Sequence, residues 1–382
     1  MMSEQKIYLD NAASRRIKPK VLQEYVTNLK EIYANPASNH EAGHFASEII
    51  AKSKDILAET FSALPEEILF TSGGTESINF ALKGLKRAYP RLPAGIIISQ
   101  GEHEAVRETA KALQWKTLAI KLDPATAAVD IDELMQAISK NSIGIVSLIV
   151  VSNETGAVNS VEDLTAAIRE ISPRTKIHLD AVQAAGKIEL NFSRLHCDLM
   201  SISGHKIGAP KGIGLLLRKK KVLLEPLIHG GGHQCGLRSG TENAPLYMAI
   251  ARAAEDSVNN MSANNQKCRQ LKDLFLSTLN KVTNEYRLLS PENAVPHIIS
   301  MTFPHLRGET LVNAVSSRGV YISHGSACSG MSKTENPALS ALGISEAEVL
   351  GAVRISLSED LTDEEAVLAA EIIGEEYLKW RL

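Results

Sequence analysis

The stretch Leu199-Met200-Ser201-Ile202-Ser203-Gly204-His205-Lys206 joins a short apolar run to a small polar turn that ends in a lysine. Ile177-His178-Leu179-Asp180 repeats the plan, with an apolar run closed by a carboxylate. Further out, Ile68-Leu69-Phe70, Ile96-Ile97-Ile98, Ile145 to Val151 and Ile213 to Leu217 are apolar without polar alternation. Strands covered on both faces have this pattern, which predicts a mainly parallel sheet between layers of helices. Between the runs, Ile78, Leu82 and Leu85 share one helical face, as do Leu134 and Ile138. Residues 16–260 are therefore expected to form one large α/β domain.

A long helical stretch from about Ala244 to Val282 leads out of that domain, weakened by Asn259-Asn260 and Asn264-Asn265. Shorter strands are expected at Ile298 to Phe303, Val320 to Ser323 and Val353 to Leu357, with helices between and after. Residues 1–15 and 261–382 are thus expected to form a smaller α+β domain, and a length of 382 residues accords with two domains. The net charge of −3 gives no support for nucleic-acid binding. No apolar stretch is long enough to span a bilayer, and the opening residues lack a secretory apolar region. Cys197, Cys235, Cys268 and Cys328 are dispersed without a C-x-x-C pair. That spacing argues against a disulfide scaffold or zinc ribbon and predicts a reducing cytoplasm. His229-Gly230-Gly231-Gly232-His233 lacks four ligands at zinc spacing, so no metal site is expected.

The chemistry-bearing residues sit where the strands end. Gly73-Gly74-Thr75 follows the run at 68, His103 the run at 96, and Asn153 the run at 145. Asp180 and Ser203 to Lys206 close the next two. Ligands of open α/β sheets bind outside the carboxyl ends of the strands, so these groups are expected to converge. A lysine with an acidic partner suits pyridoxal phosphate, which needs an amine for its Schiff base and a carboxylate at its ring nitrogen. Lys211, in a Pro/Gly turn, is the rival lysine. Gly73-Gly74-Thr75 opens a helix and offers backbone N–H groups to a phosphate, although alone it reads better as a plain turn and helix cap. Ser203 and His205 flank the lysine turn and suit the same anion. His103 suits ring stacking or proton exchange, and Asn153 and Gln183 suit the edge of the ring. Arg354 fits a substrate carboxylate through paired hydrogen bonds, with a solvent-facing edge-strand arginine as the alternative. Cys328, among Gly325, Ser326, Ala327, Ser329 and Gly330, has the small polar surroundings of a reactive thiol rather than a core one.

Taken together, these segments resemble the cysteine desulfurases of the NifS/IscS type, within the PLP-dependent class V aminotransferase-like enzymes. The resemblance runs from Tyr8-Leu9-Asp10-Asn11-Ala12-Ala13 through Asn35-Pro36-Ala37-Ser38 and Thr71 to Ser77. It continues through Glu102-His103, Asn153-Glu154-Thr155-Gly156, His178 to Ala184 and Ser203 to Lys206. Gly236 to Thr241, Gly325-Ser326-Ala327-Cys328 and Val353 to Ser356 complete it. It implies the PLP-dependent transferase fold (fold type I), with Lys206 holding the cofactor, Asp180 at its ring nitrogen and His103 stacked on the ring. Asn153 and Gln183 are then at the ring's edge. Gly74, Thr75, Ser203 and His205 bind phosphate, and Thr241 reaches in from the partner subunit of a homodimer. Asn35 and Arg354 hold the substrate carboxylate.

The implied reaction converts L-cysteine to L-alanine. Lys206 moves the Cα proton, His103 assists with the thiol proton and Cys328 receives the sulfur as a persulfide. A sulfur-acceptor protein for iron–sulfur cluster assembly or other thio-cofactor synthesis is the implied partner. A selenocysteine lyase, an aminotransferase or a non-catalytic binding protein on the same fold are the alternatives. The chain departs from the family pattern at His233-Gln234-Cys235, and again at Met331 to Pro337, where Asn336-Pro337 replaces a common Glu-Pro. It has only a short tail after Glu376.

Overall fold

Successive residues of the apolar runs enter two different cores. In a computed structural model, which describes residues 6–324 and 336–381, Ile96 and Ile98 pack into one cluster and Ile97 into another. Leu69, Leu199 and Leu216 join the first cluster, while Phe70, Met200 and Leu217 join the second. The absence of polar alternation is therefore explained: neither face of the sheet meets water.

The strands are β1 (Ile7–Tyr8), β2 (Ile68–Thr71), β3 (Gly95–Ser99), β4 (Lys116–Ile120), β5 (Ile145–Ile149) and β6 (Lys176–Asp180). They continue with β7 (Leu199–Ser203), β8 (Gly214–Arg218), β9 (Arg287–Leu288), β10 (Ile298–Thr302), β11 (Val320–Tyr321) and β12 (Ala352–Ser356). The large sheet has the order β2-β8-β7-β6-β5-β3-β4. Strands β4, β3, β5, β6 and β7 run parallel, and β8 is antiparallel to both β7 and β2. The first four helices are α1 (Pro19–Glu31), α2 (Glu41–Phe61), α3 (Gly74–Ala88) and α4 (Glu104–Ala112). Helices α3 and α4 cover one face with Ile78, Leu82, Leu85 and Val106. The other face is covered by α2 and by the helices Ile131–Lys140, Val161–Ile171 and Ala244–Asn259.

Two features of this sheet are not apparent from the apolar runs. Strand β4 lies at an edge and is mostly exposed, so it carries no continuous apolar run. At the opposite edge, the buried side chain of Gln234 stands in for a missing neighbour of β2. Its Oε1 accepts from Phe70 N at 2.7 Å and its Nε2 donates to Phe70 O at 2.9 Å, which caps an edge that would otherwise expose its backbone groups.

The second body of the protein has its own core, in which Ile7 and Leu9 meet Leu271, Phe275, Met301, Val353, Ile355 and Tyr377. Its sheet is β12-β10-β9, all antiparallel, and β1 pairs in parallel with β11. The expected long helix is two helices, Ala244–Asn259 and Met261–Val282, which break at Asn260 (φ −97°, ψ 5°). Among the described residues no helix is long and apolar enough to cross a membrane.

Strand β5 sits inside the parallel set, and its Leu148 is fully buried. Leu148→Ala is expected to lower unfolding stability by about 2–5 kcal/mol, the range for emptying a leucine-sized space in a packed core. Urea denaturation followed by far-UV circular dichroism measures it, and an unchanged midpoint would contradict the packing described here.

Candidate active site

A cleft with a volume of about 150 Å³ opens at the carboxyl ends of the parallel strands. Gly74, Thr75, His103, Asn153, Asp180, Gln183, Ser203, His205, Lys206 and Arg354, all singled out from the sequence, line it. Asn35 and Thr241 do not. Asn35 is exposed between α1 and α2, where its Oδ1 accepts from Ala37 N at 3.0 Å. Thr241 is exposed on the loop ahead of the helix Ala244–Asn259. Cys328 lies outside the described residues, as does all of 325–335.

Lys206 ends a single 3₁₀ turn, Gly204–Lys206, directly after β7. Its Nζ donates to the backbone carbonyls of Ala12 and, at 2.8 Å, Ala13. These two carbonyls, which the sequence reading did not assign a role, hold the amine over the cleft. Lys211 does not line it.

Asp180 is the last residue of β6 and is buried. Its Oδ1 accepts from Val182 N at 3.0 Å. Burial raises its pKa to about 6, against the lowering effects of that hydrogen bond and of Lys206. Glu102, next to His103, is a second buried acid. Its Oε1 accepts from Ser99 Oγ and Ile149 N, both at 2.7 Å, and its Oε2 has no partner. Desolvation first, with the Asp180 charge also contributing, raises its pKa to about 8, so it keeps its proton at neutral pH.

His103 caps α4, and its Nδ1 accepts from Ala105 N at 3.1 Å. An Nδ1 used as acceptor carries no hydrogen, so the neutral ring has its proton on Nε2. Burial, then Lys206 and Arg107, lower its pKa to about 4. The ring is therefore a neutral donor near pH 7. His205 approaches Ser14 Oγ at 3.4 Å and is likewise lowered to about 4, by burial first and then Lys206.

Gln183 is already engaged: Nε2 donates to Ala12 O at 2.8 Å and Oε1 accepts from Lys187 Nζ at 3.1 Å. Asn153 donates from Nδ2 to Glu154 Oε1 at 2.7 Å. Arg354 is buried, not solvent-facing. It donates to Asn153 O at 2.9 Å and to Asp10 Oδ1 at 3.1 Å, while its Nε has no acceptor. Arg238, in the segment Gly236 to Thr241, is tied to Glu76 at 3.0 Å.

The chemistry of the lining fits pyridoxal phosphate. The N-terminus of α3 is pressed so closely on the turn after β6 that a Cβ on Gly74 would lie 2.9 Å from Val182 Cγ2. Backbone N–H groups in such a position receive a phosphate. A buried carboxylate and an amine complete the set that this cofactor requires.

Residues 7–367 match the family Aminotransferase class-V. The chain is 35% identical to the cysteine desulfurase IscS of Pseudomonas putida, over 98% of this chain and 93% of that protein. It is 32% identical to the cysteine desulfurase IscS of Methanosarcina thermophila, over 98% and 93%. Among solved structures, a NifS-like protein superposes with a TM-score of 0.91 at 34% identity, covering 97% of this chain and 99% of that one. SspA in complex with cysteine superposes with a TM-score of 0.80 at 32% identity, covering 92% and 99%.

In ligand-free protein, Asp180 holds its proton up to about pH 6, whereas in the unfolded chain it loses it near 3.8. Between those values the folded state binds the extra proton, so stability falls as pH rises through this window. Above it, the buried charge costs about 3 kcal/mol. Ligand-free Asp180→Asn is therefore expected to melt above the wild type at pH 8 and close to it near pH 4. Calorimetry checks this, and equal melting at both pH values would contradict it.

Proposed function

The chain belongs to the Aminotransferase class-V family, and we propose that its cleft performs one form of that family's chemistry: it is a PLP-dependent cysteine desulfurase. The observation that carries this reading is the convergence of Lys206, Asp180 and Arg354 on one cleft. Arg354 also has a buried N–H that lacks an acceptor. A substrate carboxylate supplies that acceptor. The relatives named as cysteine desulfurases, and a neighbour solved with cysteine, favour cysteine over selenocysteine or a keto-acid partner.

In this reading Lys206 anchors pyridoxal phosphate and Asp180 holds its ring nitrogen protonated. His103 stacks on the ring, and Asn153 and Gln183 lie at its edge. Gly74, Thr75, Ser203 and His205 bind the phosphate. The cofactor supplies an aldehyde that condenses with amines and a ring that withdraws electrons from the substrate carbon. Arg354 orients cysteine by its carboxylate through the Nε–H that has no acceptor of its own. The Nζ of Lys206 takes the proton from the substrate Cα. His103, neutral with its hydrogen on Nε2, would offer that N–H as a hydrogen bond to the substrate sulfur and so position the thiol. The Cys328 thiolate attacks the sulfur, the carbon–sulfur bond breaks, and a persulfide remains on Cys328 while alanine leaves. Dividing the transfer into two steps lowers each barrier.

In this reading residues 16–260 form the domain that binds the cofactor, and 1–15 with 261–382 form the smaller domain that carries Arg354 and Cys328; the separate cluster around Leu271, Phe275 and Tyr377 supports that division. A homodimer is supported by the exposed apolar side chains of Leu22, Val26 and Leu29, which share a face of α1. Thr241 of the partner subunit then completes the phosphate site, which accords with its exposure here. The destination of the sulfur is an acceptor protein in iron–sulfur cluster assembly or in another thiolation route, and the compartment is the cytoplasm.

Purified protein given L-cysteine, pyridoxal phosphate and a dithiol is expected to release sulfide and alanine in equal amounts. Cys328→Ser is expected to stop sulfide release, and Lys206→Ala to abolish turnover and borohydride fixation of the cofactor. Full activity in either variant would remove that residue from the scheme. Arg354→Lys, which loses the planar fork, is expected to raise the KM for cysteine about tenfold or more. An unchanged KM would refute its role in gripping the carboxylate.

A further inference from the structure

A second cavity lies behind the first, where the sheet meets the smaller core. Lys187 projects into it from the turn after β6, facing Arg15, Asn264, Cys268, His297 and Glu359. Gly186 (φ 70°) makes this approach possible, since a Cβ there would lie 2.5 Å from Ser257 Cβ. Its free space admits one or two particles of water's size.

Its charges do not balance. Glu359 is the one carboxylate in the lining, and Arg15 engages it at 2.7 Å. Lys187 is buried, and its hydrogen bond goes to the neutral Oε1 of Gln183 at 3.1 Å. Cys268 stays a thiol, because burial pushes its pKa up to about 12. His297 is only 5% exposed, and neither of its ring nitrogens has a hydrogen-bond partner. Burial, then Lys187 and Arg15, hold its pKa well below the usual range, so the ring is neutral. One of the two nitrogens carries a hydrogen in either tautomer. An unpaired buried ring N–H and a buried lysine whose one hydrogen-bond acceptor is a neutral amide therefore face the same small space, and an unpaired buried donor is costly when left so.

We propose that this cavity binds a small monovalent inorganic anion of halide size, held by the Lys187 ammonium and the His297 ring N–H. Burial, with Arg15 and Lys206 adding to it and Glu359 opposing it, lowers the Lys187 pKa to about 7. An anion accepts from the His297 ring N–H and compensates Lys187 in its protonated form, whereas a water molecule serves the ring alone. The site communicates with the first cleft. Lys187 Nζ bonds Gln183 Oε1, Gln183 Nε2 bonds the Ala12 carbonyl at 2.8 Å, and Lys206 Nζ shares that carbonyl. The inference does not depend on the reaction assigned to the cleft.

Bromide is the probe. Holoenzyme crystals grown in sodium bromide, with diffraction collected at the bromine edge, are expected to show an anomalous peak within hydrogen-bond reach of Lys187 Nζ and His297. In solution, the holoenzyme is expected to melt higher in sodium bromide than in sodium gluconate of equal ionic strength, with a rise that saturates. His297→Leu is expected to abolish that difference, with Lys187→Met as the second variant should the first fold poorly. Water or empty density at this point overturns the proposal. So does a peak without any bromide-specific difference between the wild type and a folded variant, which would mean binding at crystal concentration only.

Discussion

The large sheet is covered on both faces, and everything chemical in the protein is arranged around that constraint. Polar side chains inside such a sheet must be saturated or removed. The interior row Ser147, His178 and Ser201 shows the first solution, with both ring nitrogens of His178 at 2.8 Å from a serine hydroxyl. The strand ends show the second. Asp180 and Ser203 are the last residues of their strands, and Gly74, His103 and Asn153 come within the next few residues after theirs. A parallel arrangement sends all these ends to one side, so the cleft follows from the topology.

The short segment Asp10 to Ala13 joins the two cores chemically. Asn11 Nδ2 donates to Ser356 O at 2.9 Å, and Ala12 N donates to Ser356 Oγ at 2.9 Å. Asp10 pairs with Arg354 at 3.1 Å. The carbonyls of Ala12 and Ala13 then receive Lys206. One turn of backbone thus places an arginine of the smaller sheet and a lysine of the larger one on the same cleft. The arginine is met by the Asp10 carboxylate, whereas the lysine needs no side chain, because main-chain carbonyls are sufficient acceptors for an ammonium.

Desolvation sets the protonation states of the cleft more strongly than any single charge. It raises Asp180 and Glu102 and lowers His103 and His205, and in all four cases it is the largest contribution. Lys206 then acts in opposite directions on the two kinds of group, lowering the histidines further and opposing the rise at Asp180. The result at neutral pH is a pair of neutral imidazoles beside an ionised aspartate and a protonated glutamate. A cationic ring nitrogen placed against Asp180 would relieve the cost of burying that charge.

The sequence alone determined the buried parallel strands, because runs such as Ile96 to Ile98 have no polar face to offer water. It also determined the strand-end set from Gly74 to Lys206, because glycine turns and isolated polar residues after such runs have few other places to go. Only the tertiary structure decided what required two distant segments to meet. Arg354 is read equally well in sequence as an exposed edge residue, and its burial depends on Asp10 and Asn153 arriving beside it. Gln234 is an ordinary loop residue until Phe70 lies opposite. Strand β4 has no strong pattern because its edge position leaves it half in water. His297 and Lys187 carry no local signal at all: their shared cavity exists only because the two cores pack together around it, and packing between cores is not encoded in any single run of residues.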